Sequence, residues 1–233
     1  HDIDSRAVAA INFHSNGYSY VCSGTLLNDM GDTGTPNFIT AHHCIGTQAE
    51  ASTMESRWFY RTTSCYGSTL DSRNQLVRGG ADLLFTRQDT DTTLLRLRRN
   101  PPRGVLFQGW TTRPVRQQAV SILHHPGYES QKVTRGTART YAKCDVQSDS
   151  DQFRCEWFSN FFRDDNYVLV ENTRSVVSGG SSGSGLLVKG DGGDNYYAGT
   201  LLGGSSSCST PSAPDFYGRF DLSFRAGLGE WLV

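Results

Sequence analysis

The sequence lacks the features that identify membrane, nucleic-acid-binding and zinc-finger proteins. No apolar run in its 233 residues approaches the ~18 residues of a membrane-spanning helix. Its 22 basic and 23 acidic side chains nearly cancel, so no overall field attracts nucleic acid or an anionic membrane surface. Its six cysteines form no Cys-x-x-Cys pair, and no histidine follows them at zinc-finger spacing. We therefore expect no membrane or nucleic-acid partner, no metal and no cofactor.

Lysine is scarce, since only three of the 22 basic residues are lysine, whereas glycine is abundant at 25 residues. An even number of scattered cysteines in a glycine-rich, lysine-poor chain fits an oxidised, secreted protein with about three disulfides. The alternative is a cytosolic protein with six buried free thiols. No charged-then-apolar leader follows His1, so we expect a secreted protein whose signal and pro-segment have been removed.

Long helical periods are also missing. Short apolar or alternating runs such as "YSYVCSGTLL" (18–27) follow one another instead, separated by Gly, Pro, Asn, Asp and Ser. β-Branched and aromatic residues dominate these runs, so the pattern predicts an all-β barrel or sandwich. Only "AGLGEWL" (226–232) has the composition of a short helix. The linker-like "RRNPPRG" (98–104) divides the chain into two β domains, residues 1–104 and 105–233.

Three short stretches carry the residues of one type of catalytic chemistry. They are "NFITAHHC" (37–44), "DTTLLRL" (91–97) and "GSSGSG" (180–185). Each alone is weak evidence, because a His pair at a strand end, an acid at a strand start and a Gly/Ser turn or linker are all common. Together they supply His, Asp and Ser in one of three chain orders known for the Ser-His-Asp arrangement. A serine hydroxyl needs such a base, and the base needs such an acid, to act as a nucleophile at neutral pH.

These stretches resemble the signature segments of chymotrypsin-fold serine endopeptidases, and more narrowly those of the bacterial secreted lysyl endopeptidases. The segments "HHPG" (124–127), "LLGGSSSC" (201–208) and "DFYGR" (215–219) are similar to that branch as well. The resemblance runs from about residue 5 to residue 224. It implies two six-stranded antiparallel Greek-key β-barrels, a monomeric protein, and peptide or protein substrates that carry lysine at the cleavage site.

The resemblance assigns the base and the acid of the reaction. The histidine directly before the cysteine is the base in that family, which is His43 here, and His42 then packs or hydrogen-bonds nearby. The acid opens the Asp-x-x-Leu strand, which indicates Asp91. Asp89 and Asp82 precede it in the same region and are the competing acids, each of which fits a loop or a strand without a catalytic role.

The nucleophile motif, Gly-x-Ser-Gly, selects Ser182, with Gly180 two residues before it. Ser184 also has glycine on both sides and is the alternative register of this short motif. Backbone N–H groups of Gly180 and Ser182 would hold the oxyanion, which needs the permissive backbone of glycine. Ser181 stands where animal relatives have an acid that pairs with a new N-terminus, so we expect that activation switch to be absent.

The resemblance also indicates the pocket for the substrate side chain. Val176 lies where trypsin-like enzymes have the pocket acid, and Asp215, two residues before Tyr-Gly-Arg, supplies the acid of the lysyl branch. Without the resemblance, a turn acid after proline would be the simpler interpretation. Residues Leu202, Gly203 and Gly204 belong to the strand that pairs with substrate backbone. The lysyl endopeptidases have histidine in place of Leu202, which leaves cleavage after both arginine and lysine as the nearest alternative.

Two other classes of function compete with an enzyme. A pseudoprotease would keep the fold as a binding module without turnover, and a carbohydrate-binding or structural β-sandwich would make the ordered His, Asp and Ser segments a coincidence. The acidic stretches "SDSD" (148–151) and "DGGD" (191–194) lack EF-hand spacing, so we expect solvated loops there rather than calcium sites.

The cysteines divide into three groups. The resemblance implies a disulfide between the cysteines that flank the His43 loop, and a local bridge fits the two that bracket the polar stretch 145–154. The remaining two pair with each other, stay free, or have partners in a segment outside this chain. The expected pairs are Cys22–Cys44, Cys144–Cys155 and, among those alternatives, Cys65–Cys208.

Overall fold

The computed structural model describes residues 3–146, 153–157 and 165–233, and these parts of the chain contain two antiparallel sheets. The first sheet has seven strands in the order β5-β4-β1-β2-β3-β7-β6. Its strands are β1 (Val8–Ser15), β2 (Tyr18–Leu27), β3 (Asn37–Thr40), β4 (Glu55–Trp58), β5 (Gln75–Arg78), β6 (Ala81–Arg87) and β7 (Thr92–Leu97).

The second sheet also has seven strands, in the order β10-β9-β11-β14-β13-β12-β8. A further pairing of β9 with β8 closes six of them into a barrel, and β10 extends β9 as a hairpin. Its strands are β8 (Gln118–His124), β9 (Lys132–Val146), β10 (Phe153–Trp157), β11 (Tyr167–Arg174), β12 (Gly185–Lys189), β13 (Asn195–Gly204) and β14 (Pro214–Arg219). The all-β prediction is confirmed. The acidic stretch 148–151 lies outside the described residues.

Helices are few and short. Helix α1 (Gln48–Thr53) begins with a capping box, in which Thr47 and Glu50 bond each other's backbone N–H groups. The C-terminal helix α2 spans Phe220–Arg225, earlier than the predicted 226–232. Gly227 has φ +124 and ends the helical path, and a single 3-10 turn follows. In the described ranges no helix is long and apolar enough to cross a membrane.

Each sheet has its own core of buried apolar side chains, and a further apolar cluster lies between the two sheets. The cluster between them joins Val8, Leu27 and Leu94 of the first sheet to Leu187 and Tyr197 of the second. Each such buried side chain contributes roughly 1.5–3 kcal/mol, so the cluster fixes the two sheets relative to each other. The predicted division into 1–104 and 105–233 falls in the segment that joins β7 to β8, and it stays a prediction.

Two of the three expected disulfides are present. Cys22–Cys44 joins β2 to the segment after β3, and Cys144–Cys155 joins β9 to β10 across one register position. The expected bond between Cys65 and Cys208 is absent, and both residues are exposed and unpaired. They lie on separate surface loops, one between β4 and β5 and the other between β13 and β14, so no shared strand register brings them together.

Candidate active site

The carboxylate of Asp91 contacts His43 at two points. One oxygen accepts the backbone N–H of His43 at 2.8 Å, and the other lies 2.7 Å from Nδ1 of the same residue. Asp91 is fully buried, while the His43 side chain keeps 27% of its surface exposed. A carboxylate at Nδ1 favours the tautomer that carries the proton there, so Nε2 is left as the basic nitrogen.

A tight turn holds Asp91 in this position. Asp91 has φ +45, a left-handed conformation that aspartate tolerates better than most residues. Its N–H donates to the carbonyl of Gln88 at 3.0 Å. The neighbouring Thr90 is fully buried and lies 2.8 Å from the hydroxyl of Ser223, which ties the turn to helix α2. The turn therefore delivers a buried carboxylate to the histidine.

The other candidate acids are used elsewhere. Asp89 pairs with Arg87, and Asp82 pairs with Arg98 at 2.7 Å, all four side chains being partly exposed. The adjacent His42 also has a separate partner, since its Nδ1 lies 2.7 Å from the hydroxyl of Thr86. Desolvation by burial lowers the pKa of His42. Of the residues in this region, His43 and Asp91 alone form the pair that the sequence predicts.

The two serines of the nucleophile motif differ in accessibility. Ser182 is partly exposed, whereas Ser184 is fully buried and its hydroxyl has no hydrogen-bond partner in the described part of the chain. A nucleophile has to be reached by the substrate carbonyl. The burial of Ser184 therefore supports the register that selects Ser182.

Two backbone N–H groups beside Ser182 are unused. Ser181 N donates to the carbonyl of Ser178 and Gly183 N to that of Leu201, each at 2.9 Å. The N–H groups of Gly180 and Ser182 donate to no acceptor within the residues that the structure describes. Gly180 has φ +87, which glycine adopts without strain. Two free donors separated by a single residue, Ser181, match the requirement for holding an oxyanion.

Ser23 joins this loop to the histidine segment. Its N–H donates to the carbonyl of Ser182 at 2.8 Å, and its hydroxyl donates to the carbonyl of Gly180 at 2.9 Å. The preceding residue is Cys22, whose disulfide partner Cys44 directly follows His43. One strand residue and one disulfide therefore connect the candidate nucleophile to the candidate base.

A second buried carboxylate lies in the C-terminal sheet, at Asp215 on β14. Oδ2 accepts Asn172 Nδ2 at 2.6 Å and the Ser206 hydroxyl at 2.8 Å, and Oδ1 accepts Ser206 N at 3.3 Å. All donors to it from the described residues are neutral. Desolvation by burial raises the pKa of Asp215, and these hydrogen bonds oppose that shift. A Cβ on Gly204 would lie 2.0 Å from Oδ1, so only glycine fits beside this carboxylate.

Three of the other predicted pocket residues lie on β13, the strand that pairs with β14 beside this carboxylate. Gly203 and Gly204 pair with Phe216 and Asp215 on β14, and Leu202 lies at a register shift between Leu201 and Gly203. The Leu202 side chain is buried in a cluster that includes Phe216. Half-buried Val176 accepts a hydrogen bond from Thr134 at its carbonyl.

Sequence reasoning missed three residues that shape the site, namely Asn172, Ser23 and Ser206. Ser206 lies inside the "LLGGSSSC" segment, but no motif contains the other two. Asn172 and Asp215 are 43 residues apart and meet only because β11 pairs with β14.

Known proteins resemble this chain in sequence and in fold. A family model described as "Lysyl endopeptidase, C-terminal domain" matches residues 1–218. The lysyl endopeptidase of Pseudomonas aeruginosa is 37% identical over 229 residues, which cover 94% of this chain and 46% of that protein. The chain thus spans slightly less than half the length of that relative.

Solved structures of serine proteases have the same fold. The thermostable protease AL20 from an extremophilic microorganism aligns with a TM-score of 0.60 at 14% identity, over 99% of this chain and 98% of that one. The active form of the Rv3671c protease from M. tuberculosis aligns with a TM-score of 0.59 at 13% identity, over 97% and 81%. The predicted chymotrypsin-like fold class is confirmed by these likenesses.

Proposed function

The chain belongs to the lysyl endopeptidase C-terminal domain family, and from that premise we propose that it is a secreted serine endopeptidase that cleaves after lysine. The observation that carries the lysine preference is the buried Asp215 carboxylate, whose described donors are all neutral. An isolated buried carboxylate is costly, and a bound cation relieves that cost. The two disulfides support secretion, because such bonds persist in oxidising compartments.

The first half of the reaction forms an acyl-enzyme. Nε2 of His43 takes the proton from the Ser182 hydroxyl as its oxygen attacks the carbonyl before the scissile bond. Asp91 stabilises the resulting imidazolium through Nδ1. The negative oxygen of the tetrahedral intermediate accepts the free N–H groups of Gly180 and Ser182. His43 then donates its proton to the leaving amine, and the peptide bond breaks.

The second half releases the product. Water replaces the leaving peptide, and His43 removes a proton from that water as its oxygen attacks the acyl carbonyl. The same two N–H groups hold the second tetrahedral intermediate. Collapse of that intermediate returns the proton to Ser182 and frees the new carboxyl terminus.

The hydrogen bonds already made to Asp215 favour lysine over arginine. Oδ2 accepts two donors, Asn172 Nδ2 and the Ser206 hydroxyl, whereas Oδ1 accepts only the longer bond from Ser206 N. A guanidinium binds a carboxylate best through both oxygens at once. A lysine ammonium needs one free oxygen and other nearby acceptors, and the buried Oδ1 atom of Asn172 accepts from no donor in the described part of the chain.

Substrate backbone would add as a strand beside residues 202–204. The glycines at 203 and 204 let an extended chain approach, as strand-addition recognition requires. Leu202 has turned its side chain into the apolar cluster rather than toward solvent. The subsite that histidine supports in relatives is therefore supported differently here.

A cleavage map tests this proposal. A denatured protein mixture is digested with the purified chain, and the new termini are read by mass spectrometry, with the Ser182→Ala variant as control. We expect cuts almost wholly after lysine, and a rate at least about 10³-fold lower in the variant. Cuts after both arginine and lysine would support the trypsin-like alternative. The absence of cuts from the folded chain would favour the pseudoprotease.

The Asp215→Asn variant tests the pocket. Because the ammonium loses a buried charge partner, we expect kcat/KM for lysine substrates to fall by about 10² to 10³-fold. The matched control is Asp82→Asn, which removes an exposed acid paired with Arg98 and should change kcat/KM less than about twofold. An unchanged cleavage profile for Asp215→Asn would contradict the assignment of this pocket.

A further inference from the structure

The segment at the end of β8, "HHPG" (124–127), has no role in the reaction proposed above. Its first residue, His124, is fully buried. Nδ1 lies 2.7 Å from the hydroxyl of Ser181, and Nε2 lies 2.9 Å from the hydroxyl of Thr134. Desolvation by burial lowers the pKa of His124 to about 3. The ring is therefore neutral near neutral pH, with one nitrogen donating and the other accepting.

Ser181 is the residue between the two free N–H groups, those of Gly180 and Ser182. Its hydroxyl contacts His124 and also accepts the N–H of Ser178 at 3.1 Å. The Ser181 side chain is fully buried. It therefore anchors the middle of the loop from the protein interior, and its own N–H, unlike those of Gly180 and Ser182, already donates within the loop.

The peptide groups that contain the two free N–H groups are held by their carbonyls. Gly127 N donates to the carbonyl of Gly179 at 2.7 Å, and Ser184 N donates to that of Ser181 at 3.1 Å. All described peptide bonds are trans, so the N–H of each group points away from its carbonyl. Fixing these carbonyls aims the N–H groups of Gly180 and Ser182 in the opposite direction.

The segment 124–127 therefore contacts the loop at both ends of this arrangement. The His124 ring contacts the Ser181 hydroxyl, and Gly127 N donates to the carbonyl of Gly179. Between these two contacts, His125 N donates to the hydroxyl of Ser23. That hydroxyl donates in turn to the carbonyl of Gly180. Thr134 completes the support, since its hydroxyl contacts His124 and donates to the carbonyl of Val176 at 3.3 Å. Both ring nitrogens of His124 and the hydroxyls of Ser181 and Thr134 have partners, and a neutral network of satisfied buried groups rigidifies a loop.

We propose that His124 is a positioning residue that orders the oxyanion hole through its contact with the hydroxyl of Ser181. This inference rests on the proposed function, because an oxyanion hole has a role only if Ser182 is the nucleophile that becomes acylated. In this network, neutral side chains and backbone groups order the loop, and no charged group or freed chain terminus takes part among the described residues. Its loss weakens binding of the tetrahedral intermediate and leaves the Asp215 pocket, and so the binding of the lysine side chain, unchanged.

The test compares Ser181→Ala with Ser184→Ala. The two serines lie three residues apart in one loop and are both fully buried, but only the Ser181 hydroxyl is hydrogen-bonded. Hydrogen exchange of peptides covering residues 178–184, measured by mass spectrometry, should be faster in Ser181→Ala and unchanged in Ser184→Ala. Equal exchange in the two variants would overturn the positioning role.

Kinetics on the same variants separate positioning from general stability. We expect Ser181→Ala to lower kcat about tenfold to 100-fold with KM changed less than about threefold. A peptide aldehyde ending in lysine, which forms a tetrahedral adduct with Ser182, should bind weaker by the same factor. A simple alkyl ammonium, which occupies only the Asp215 pocket, should bind equally well. Equal losses for both ligands would overturn the proposal.

Substitutions of His124 identify which nitrogen matters. The amide of His124→Asn reaches about as far as Nδ1, and that of His124→Gln about as far as Nε2. We expect the asparagine variant to retain more activity than the glutamine variant, because it keeps a partner for Ser181. The reverse order would contradict the role of Ser181. If the wild-type chain is not labelled by a serine-directed fluorophosphonate, the proposed function has failed, and the exchange experiment alone then decides whether His124 orders the loop.

Discussion

The chain has two His-His pairs, and their surroundings differ completely. In the first pair, His43 keeps 27% of its side chain exposed and contacts the carboxylate of Asp91. In the second, His124 and His125 are both buried, and the hydrogen-bond partners of their rings among the described residues are hydroxyl and carbonyl oxygens. Burial lowers the pKa of His124 to about 3 and that of His125 to about 4. The same dipeptide thus serves two purposes in one molecule.

The difference shows what makes a histidine useful as a base. An imidazole that exchanges protons at neutral pH needs access to the substrate and a carboxylate that stabilises its charged form. An imidazole sealed among neutral groups stays uncharged and acts as a rigid connector between a donor and an acceptor. The ring of His124 therefore supports the active-site loop without taking part in proton transfer, and His125 contributes its backbone N–H to the same support.

The largest expected effect comes from breaking the first pair. His43→Ala removes the base, so kcat/KM for a lysine ester or anilide should fall by about 10⁴-fold or more, as losses of a triad member do in related chemistry. The folded state should survive, since the side chain is partly exposed. A urea unfolding curve on the same sample checks the fold. A variant that retains a tenth of the activity would contradict the assignment of His43.

Such a prediction was available from the sequence because the triad residues lie in short, contiguous motifs. The motifs around His43 and Ser182 are contiguous in sequence, so each identifies its catalytic residue without knowledge of the fold. The all-β fold is predicted by the alternating apolar and polar runs. The buried contact between His124 and the Ser181 loop could not be predicted from the sequence, because the two residues are 57 positions apart. Their contact depends on strand register and on which side chains a β-sheet turns inward.

The second expected effect concerns stability against pH. His124 and His125 have folded-state pKa values well below the usual 6.5, so the unfolded chain binds more protons between those limits. Their stabilisation is present above pH 6.5 and is lost as the pH falls toward 4. The free energy of unfolding should therefore drop by about 1.4 kcal/mol per pH unit for each histidine below pH 6.

Urea unfolding at pH 4.5 to 7 in the Ser182→Ala background measures this slope without self-digestion. The His125→Gln variant should be less stable overall but should lose one histidine's share of the slope, about 1.4 kcal/mol per pH unit. Asp and Glu residues titrate in both proteins and cancel in the difference. Parallel curves for the two proteins would show that His125 is not a buried neutral group.

The smallest expected effect comes from His42, the neighbour of the candidate base. Its Nδ1 bonds the hydroxyl of Thr86, which in turn lies 2.6 Å from that of Thr93. His42→Asn keeps an amide near Nδ1, so we expect kcat/KM to change less than about threefold and stability by about 1 kcal/mol or less. A loss as large as that of His43→Ala would mean that the roles within the first pair have been assigned in the wrong order.

The pocket shows a second limit of sequence reasoning. A family motif indicates Asp215, but the proposed preference for an ammonium depends on which carboxylate oxygen already accepts hydrogen bonds. Asn172 and Ser206 occupy Oδ2 through a strand pairing and a loop return. No local pattern encodes that arrangement, because side chains from separate strands meet only in the closed barrel.

The positions of the three lysines have a consequence for how long the protein lasts in a concentrated solution of its own copies. Lys132, Lys143 and Lys189 all lie within paired strands, β9 and β12, opposite His124, Glu156 and Asn195. A bond beside a paired strand residue cannot enter another copy's cleft until the strand detaches. An enzyme that cuts after lysine therefore finds no unpaired cleavage site on folded copies of this chain. One that also cut after arginine would have 19 further potential cleavage sites. Self-digestion should proceed only as fast as these sheets open.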